Sequence, residues 1–396
     1  MNPDILNKEV QSFLERHIDS DLNRLILTGS PFETISIQEL AGQIQSRRKC
    51  RLKLPLWYQT HGIVFPPTLN IEQSSSEKAA HYKASLVNGD CMIDLTGGFG
   101  VDSYYFSKKF DRVVYVEIKK ELLEIVKHNL KILSAENVNC VLGDSMDLLR
   151  STQKKFDWVY VDPSRRGERK DRVFLLEDCS PNLVENLDLI LSKSDRIMLK
   201  LAPFMDISKA LKQLKYVAEV HVLAINNEVK ELLFLMNTNN AKPLQIRAVN
   251  LIQDRIDMLS GKLDDLPEMN YGPVRTYLYE PNAAIRKAGI YAAVGSRYNL
   301  DKLHPNSHLF TGEKLVDFPG RIFRVKKQIK YSPKKIRKEL GLTRANITTR
   351  NFHDSVAQIR KRTGIKEGGE DYLFFTTDQQ GNSIVLHCSK AQASRP

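Results

Sequence analysis

The stretch Cys91–Gly100, reading CMIDLTGGFG, constrains this chain more than any other. Met92, Ile93 and Leu95 are apolar, and Thr96-Gly97-Gly98-Phe99-Gly100 follows at once. That pattern reads as a buried strand running into a tight glycine turn. Glycines let the backbone come close to a ligand, with amide N–H groups directed at it. Val101–Lys109 then reads as the opening of a helix. A strand, a glycine turn and a helix form the first half of a nucleotide-binding α/β unit. Glycine turns are also ordinary connections, so the rest of the chain must decide between the two.

Downstream, strand and helix patterns alternate. Arg112–Glu117 (RVVYVE) reads as a second buried strand, and Glu121–Ile132 as a helix with Leu122, Leu123, Val126 and Leu130 on one face. Val138–Leu142, Phe156–Val161 and Arg196–Leu201 read as further strands. Ala218–Ile225 and Glu231–Met236 are separated by Asn226–Lys230 and read as a hairpin. This order predicts a mostly parallel sheet closed by an antiparallel edge strand. Four strands end in acid: Asp94, Glu117, Asp144 and Asp162. Doubly wound sheets bind ligands at the C-terminal ends of their strands, so four carboxylates there point to a site. Glu117 lies 23 residues after Asp94 and is placed to accept from both ribose hydroxyls of an adenosine.

The flanks differ in character. Ile5, Val10, Phe13, Leu14, Ile18, Leu22, Leu25 and Ile26 recur at helical spacing, and Ser36 with Glu39 can cap a helix over Ile37–Ile44. The basic run Arg47–Lys53 reads either as a charged helix end or as a secondary contact for a phosphate backbone. Pro66-Pro67 marks a boundary, and Glu72–Glu77 opens a helix containing Ala79, Ala80, Tyr82 and Ala84. Five scattered cysteines without CxxC or Cys/His spacing imply reduced thiols in a cytoplasm and no metal site. The first residues show no secretory pattern, and no apolar run reaches the ~18 residues of a membrane span.

Charge is distributed unevenly. Residues 1–240 carry 32 basic and 32 acidic side chains, whereas residues 317–366 carry 15 and 3. These fifty residues therefore account for the whole net charge of +12, the footprint of a polyanion-binding surface. A solvated lysine-rich face is the alternative. Arg321–Ile329 reads as a strand. Ser332-Pro333 caps a helix that Gly341 ends, and this helix carries Lys334, Lys335, Arg337 and Lys338. Asp354–Thr363 reads as a second helix, and Tyr372–Thr377 and Ser383–Cys388 as strands. Tyr277, Tyr279, Tyr291 and Tyr298 are read as packing residues rather than base-stacking ones.

The segment from about 70 to 240 resembles a class I S-adenosylmethionine-dependent methyltransferase. Asp94-Leu95-Thr96-Gly97-Gly98-Phe99-Gly100 matches that family's first motif, with Thr96 where glycine is usual. Asp162-Pro163-Ser164-Arg165 occupies the motif at the end of the fourth strand. Over its full length the chain is similar to bacterial methyltransferases with a THUMP-like C-terminal domain, through Gln73–Glu77, DLTGGFGVDS, DPSRR and Leu342–Phe352 (LTRANITTRNF). The resemblance implies a Rossmann-like α/β sheet. It implies a helical region over 1–70, the methyltransferase domain over 71–240, a ferredoxin-like segment over 241–316 and a basic THUMP-like domain over 317–396. It also implies S-adenosyl-L-methionine as cofactor, held by Gln73, Asp94, Thr96, Gly98, Gly100, Glu117, Asp144 and Asp162. Asp162 and Arg165 would be catalytic. RNA, either tRNA or rRNA, would be the partner, contacted by Lys334, Lys335, Arg337, Lys338, Arg344 and Arg350.

Methyl transfer is a direct displacement, so the protein must mainly hold the nucleophile in line with the methyl. Asp162 can accept a hydrogen bond from an attacking amine or take its proton. The Asp-Pro-Ser-Arg motif lacks the aromatic ring found at this place in many nitrogen methyltransferases. Motifs of the form DPPR occur in carbon-5 pyrimidine methyltransferases, which need a cysteine typically just after the fifth strand. Lys200-Leu201-Ala202-Pro203 has none there. Cys179, on an expected helix, is the nearest cysteine, which favours a ring or exocyclic nitrogen as target. Three functions compete: an RNA methyltransferase, a methyltransferase of proteins or small molecules, and a nucleotide-binding protein without methyl transfer. Gly98-Phe99-Gly100-Val101-Asp102-Ser103 lacks the third glycine of the dinucleotide fingerprint, which counts against a nicotinamide enzyme.

Overall fold

A computed structural model describes residues 2–165, 176–253, 255–262 and 269–392. The chain divides into two compact units, Met1–Ala218 with Leu233–Ala241, and Glu219–Leu232 with Lys242–Pro396.

The first unit begins with helices α1 (Lys8–Arg16), α2 (Leu22–Leu27), α3 (Ile37–Lys53), α4 (Pro55–Gln59), α5 (Thr68–Gln73) and α6 (Glu77–Ala84). Ser36 caps α3 by accepting from the Glu39 amide at 3.1 Å. The helix runs through the basic stretch to Lys53, nine residues beyond the expected end, and the stretch is tied down internally. Arg48 donates to the carbonyls of Ile18 and Ser20, Arg51 pairs with Asp19 at 2.8 Å, and Lys53 donates to the Ile71 and Glu72 carbonyls at 2.7 Å each. The helical region also shares the core of the sheet domain. Buried Gln43 grips the backbone of Phe65, and buried Asn129 grips that of Val64 through one donated and one accepted bond of 2.8 and 2.9 Å. Trp57 packs edge-on against Tyr104 at 5.1 Å between ring centres.

The sheet of this unit contains β1 (Gly89–Asp94), β2 (Phe110–Glu117), β3 (Val138–Leu142), β4 (Trp158–Val161) and β7 (Arg196–Leu201). Between them lie α7 (Val101–Phe106), α8 (Lys120–Ile132), α9 (Ser145–Ser151), α10 (Leu183–Lys193) and α11 (Ile207–Gln213). Two short strands, β5 (Ser164–Arg165) and β6 (Cys179–Ser180), form a separate antiparallel pair after β4. The order β3-β2-β1-β4-β7 is parallel throughout, with Asp94 paired to Tyr115 of β2 and Tyr160 of β4. Two hydrophobic clusters pack against the sheet. One gathers Trp57, Phe99, Tyr115, Leu122, Val126 and Leu130, the other Met92, Phe106, Phe110, Val113, Tyr160 and Met198. The hairpin strands are β8 (Val217–Ile225) and β9 (Glu228–Asn237), which follows β7 in the sheet. Asn226 and Asn227, with φ of 49° and 65°, make a tighter turn than the expected five-residue link.

The second unit holds two strands that the sequence pattern does not show. β10 (Gln245–Ile252) runs parallel to β8, and β11 (Arg255–Lys262) returns antiparallel to β10. A seven-stranded sheet follows in the order β13-β14-β12-β15-β18-β17-β16. Its elements are β12 (Tyr277–Pro281), α12 (Ala283–Ala288), α13 (Tyr291–Tyr298), β13 (Asp301–Lys302), β14 (Phe310–Gly312), β15 (Gly320–Lys330), α14 (Pro333–Leu340), β16 (Asn346–Arg350), α15 (Val356–Thr363), β17 (Asp371–Thr377) and β18 (Ser383–Ala391). Residues on both sides of position 316 share this sheet, because β12 pairs with β15 from Tyr277–Arg324 to Pro281–Gly320. Ser355 and Gln358 close a complete capping box on α15. Tyr279 is fully buried against Phe318, while Tyr291 stacks on His308.

Candidate active site

The glycine turn is shaped from beneath by Tyr115. A Cβ on Gly97 would stand 2.5 Å from the Tyr115 ring and 2.7 Å from the Val116 carbonyl, so no side chain fits there. Gly100 caps α7 at φ 72°, a conformation that strains other residues. The expectation that the turn's amides face a ligand needs correction. The amides of Thr96, Gly97 and Gly98 donate to Asp94, Val116 and Glu117 at 3.0–3.1 Å, so the turn is held by its own chain.

Glu117 ends β2 and is buried. Its two oxygens accept from Gly98 N at 3.0 Å and Lys119 N at 2.8 Å, which fixes the carboxylate beside the turn. A carboxylate has about four lone-pair sites, so acceptor capacity remains for two hydroxyls. Asp144 caps α9, with Oδ1 accepting from Met146 and Asp147 amides at 2.7 and 3.1 Å. Gln73 is exposed at the last residue of α5.

Thr96, the departure from the usual motif, has an identifiable task. Its hydroxyl accepts from the Asp162 amide at 2.7 Å and thereby ties the end of β1 to the end of β4. The Asp162 carboxylate contacts the Lys200 ammonium, which arrives from β7 and is largely buried. Asp162 is therefore part of an ion pair, a partner that the sequence reading of it as an acceptor or a base did not include. Arg165 pairs through its backbone with Cys179. Its side chain, and all of Arg166, lie outside the described residues. Cys179 lies on a strand opposite Arg165, which corrects its expected place on a helix.

Behind the turn lies a polar network that the sequence reading missed. The Lys83 ammonium on α6, fully buried, sits 3.0 Å from Asp102 Oδ1 and donates to Ser75 Oγ at 2.6 Å. Ser75 and Tyr160 hydroxyls donate to Asp102 Oδ2 at 2.8 and 2.7 Å. Burial alone would raise the Asp102 carboxyl, but Lys83, Lys200 and the Tyr160 bond outweigh it and hold it below its usual range. The signal was present in the sequence. Lys83 falls on the stripe Ala79, Ala80, Lys83, Ala84, which is the buried face of α6. Ser103, at the place of the missing third glycine, donates to Asp94 Oδ2 at 2.6 Å.

Asp94 is the unbalanced member. It is 1% exposed, and burial pushes its carboxyl up to about 7, with Asp102 and Asp162 adding to the rise. Asp94, Asp102 and Asp162 face two ammonium groups, Lys83 and Lys200, and no cation pairs with Asp94 among the described residues. A cationic ligand completes this balance, and beside it Glu117 offers acceptors for a ribose. That donor set fits S-adenosylmethionine, whose sulfonium and ammonium are positive. No group of three or more His, Cys, Asp or Glu among the described residues is placed to hold a metal ion, and none of their helices is long and apolar enough to cross a membrane.

The basic side chains of the C-terminal module divide into two kinds. Lys334, Lys335 and Lys338 project from α14 around buried Ile336, and Arg344 is exposed. Arg337 instead docks α14 on α15 by donating to the Thr363 and Arg362 carbonyls, and Arg350 pairs with buried Glu280.

Family models match three segments. One described as RNA cap guanine-N2 methyltransferase covers residues 89–244, one described as ferredoxin-like domain covers 277–319, and one described as THUMP domain-like covers 320–390. The crystal structure of a candidate methyltransferase from Porphyromonas gingivalis W83 superposes with a TM-score of 0.87 at 31% identity, over 98% of each chain. An uncharacterized S-adenosylmethionine-dependent methyltransferase of Mycobacterium tuberculosis is 24% identical over 272 residues, 68% of this chain and 72% of that protein. An uncharacterized RNA methyltransferase of Mycoplasma mobile is 26% identical over 156 residues, 37% of this chain and 42% of that protein.

Proposed function

The chain belongs to the S-adenosylmethionine-dependent methyltransferases that carry a THUMP-like C-terminal domain, and from that premise we propose that it methylates a base nitrogen in structured RNA, tRNA or rRNA, in the cytoplasm. The cofactor supplies an electrophilic methyl group on a sulfonium. Glu117 would accept from the ribose hydroxyls, Asp144 and Gln73 would help to hold the adenosine end, and Asp94 with the Thr96–Gly100 turn would hold the cationic end.

The observation that carries the reading is the position of Asp162. Thr96 fixes its backbone at 2.7 Å and Lys200 holds its carboxylate, so one oriented acceptor stands at the end of β4. Paired with an ammonium, Asp162 serves best as the acceptor that aligns an N–H of the target base, with Lys200 restraining its rotation. Phe204 is 51% exposed, four residues beyond Lys200, and supplies the aromatic face that the Asp-Pro-Ser-Arg motif lacks. Base stacking on such a ring contributes about 1–3 kcal/mol. The description of the model matching 89–244 supports a nitrogen target. Lys334, Lys335, Lys338 and Arg344 form the exposed RNA-binding surface.

The test is transfer of labelled methyl from S-adenosylmethionine to RNA from cells that lack the protein. Wild type should label RNA, Asp162→Asn should not, and Phe204→Ala should lower the rate with cofactor affinity unchanged. Label entering protein or small molecules instead would refute the RNA assignment.

A further inference from the structure

We propose that three arginines gathered around Glu280 form an anion subsite that takes a phosphate of the RNA chain, an inference that rests on RNA being the substrate. Glu280 lies on β12, with a side chain only 3% exposed. Arg350, at the end of β16, donates to its Oε1 at 2.5 Å. Arg321, its direct neighbour across the β12–β15 ladder, donates to Oε2 at 2.5 Å. Arg286, on α12, stands 3.7 Å from Oε1. One carboxylate therefore faces three guanidinium groups, and no second carboxylate pairs with any of them among the described residues.

A structural clamp between strands needs one such pair. Here two positive charges are left over on side chains that are only 28–42% exposed. Excess like charge in a half-buried site disfavours the fold unless an anion arrives. One neighbour adds to the excess. Lys302 is nearly buried, and burial lowers its ammonium to about 8. Burial also pushes the His308 imidazole down to about 4, helped by the charges of Lys302, Arg350 and Arg286. Two donor-capable atoms, Arg350 Nε and His308 Nδ1, are buried with no partner among the described residues.

The chemistry favours a phosphate. Planar guanidinium forks match its paired oxygens, and their positions here converge on one spot. A base is disfavoured, because the Tyr291 ring is already engaged by His308, stacked at 4.2 Å, and by the Lys302 ammonium 4.5 Å from its centre. Arg286 is the member that discriminates between clamp and subsite. Its only ion pair among the described residues is the long one, and burial lowers its guanidinium below the usual range.

The experiment uses the full chain, with inorganic phosphate and a single-stranded oligoribonucleotide as probes. Melting is followed in phosphate and in chloride at equal ionic strength. Wild type should gain melting temperature from phosphate, whereas Arg286→Gln should match or exceed wild type in chloride and lose the phosphate increment. The same variant should bind the oligoribonucleotide about tenfold more weakly, the effect of one charge-assisted contact. Destabilisation of Arg286→Gln in chloride, with phosphate response and RNA affinity retained, would show a structural clamp and overturn the subsite. An unchanged RNA affinity in Arg286→Gln also overturns it. If wild type binds no RNA at all, the substrate reading falls first, which is a separate and recognisable failure.

Discussion

Cofactor binding should be coupled to ionisation of Asp94. This carboxyl is buried, held near 7, and faces Asp102 and Asp162 without a cation of its own. An unfolded aspartate titrates near ~3.9. The folded state therefore prefers the protonated acid. That contribution to stability is complete below about pH 4 and is lost as pH rises through about 7, a difference of about 4 kcal/mol at the alkaline end. A cation placed against Asp94 reverses the preference and favours the carboxylate. If the bound form stays ionised throughout, affinity should rise about tenfold between pH 6 and pH 8, levelling above 7. The assay is titration calorimetry with S-adenosylmethionine at several pH values, in buffers of different ionisation enthalpy, so that released protons are counted. Near pH 6 wild type should release close to one proton per cofactor bound. Asp94→Asn should show a flatter profile, and any titration of the ligand is common to both proteins. The same pH slope in wild type and Asp94→Asn would refute the reasoning.

Three further outcomes follow from the same geometry. Lys83→Met leaves the Asp102 carboxylate buried without its counter-ion and should cost about 3–5 kcal/mol in denaturant unfolding, a loss that Asp102→Asn added in the same chain should reduce. Lys200→Met should lower turnover with S-adenosylhomocysteine affinity unchanged, while Cys179→Ser should keep turnover; inactivity of Cys179→Ser would instead support a covalent route to carbon, since β6 sets that residue opposite Arg165. Replacing Lys334, Lys335 and Lys338 with glutamine should reduce the salt slope of RNA affinity by about 2, at about 0.7 per phosphate contact, read by anisotropy at several salt concentrations.

The sheet was legible because its strands are short apolar runs, four of them closed by an acid or a glycine and Arg196–Leu201 by Ala202-Pro203. Val138–Leu142 and Arg196–Leu201 stand where the pattern puts them. β10 and β11 were not legible. Arg255–Lys262 interleaves charge with apolar residues, and only its pairing with β10 makes it a strand. The acidic strand ends could be read in order, but their partners could not. Lys200 pairs with Asp162 across 38 residues of sequence, and Ser75 with Asp102 across 27. Charge counting picks out the basic segment but not which of its side chains are engaged within the chain. Arg337, Arg350, Arg360 and Arg362 are engaged with carbonyls or carboxylates of their own chain, whereas Lys334, Lys335 and Lys338 face solvent.

The claim that this chain methylates RNA is tested most directly by mass spectrometry of nucleosides from the RNA of cells with and without it. One methylated nucleoside should be missing without the protein. Wild type should restore it, Asp162→Asn should not, and its identity names the atom. Identical nucleoside profiles in the two cell types, with labelled methyl passing to protein or a small molecule in vitro, would contradict the account.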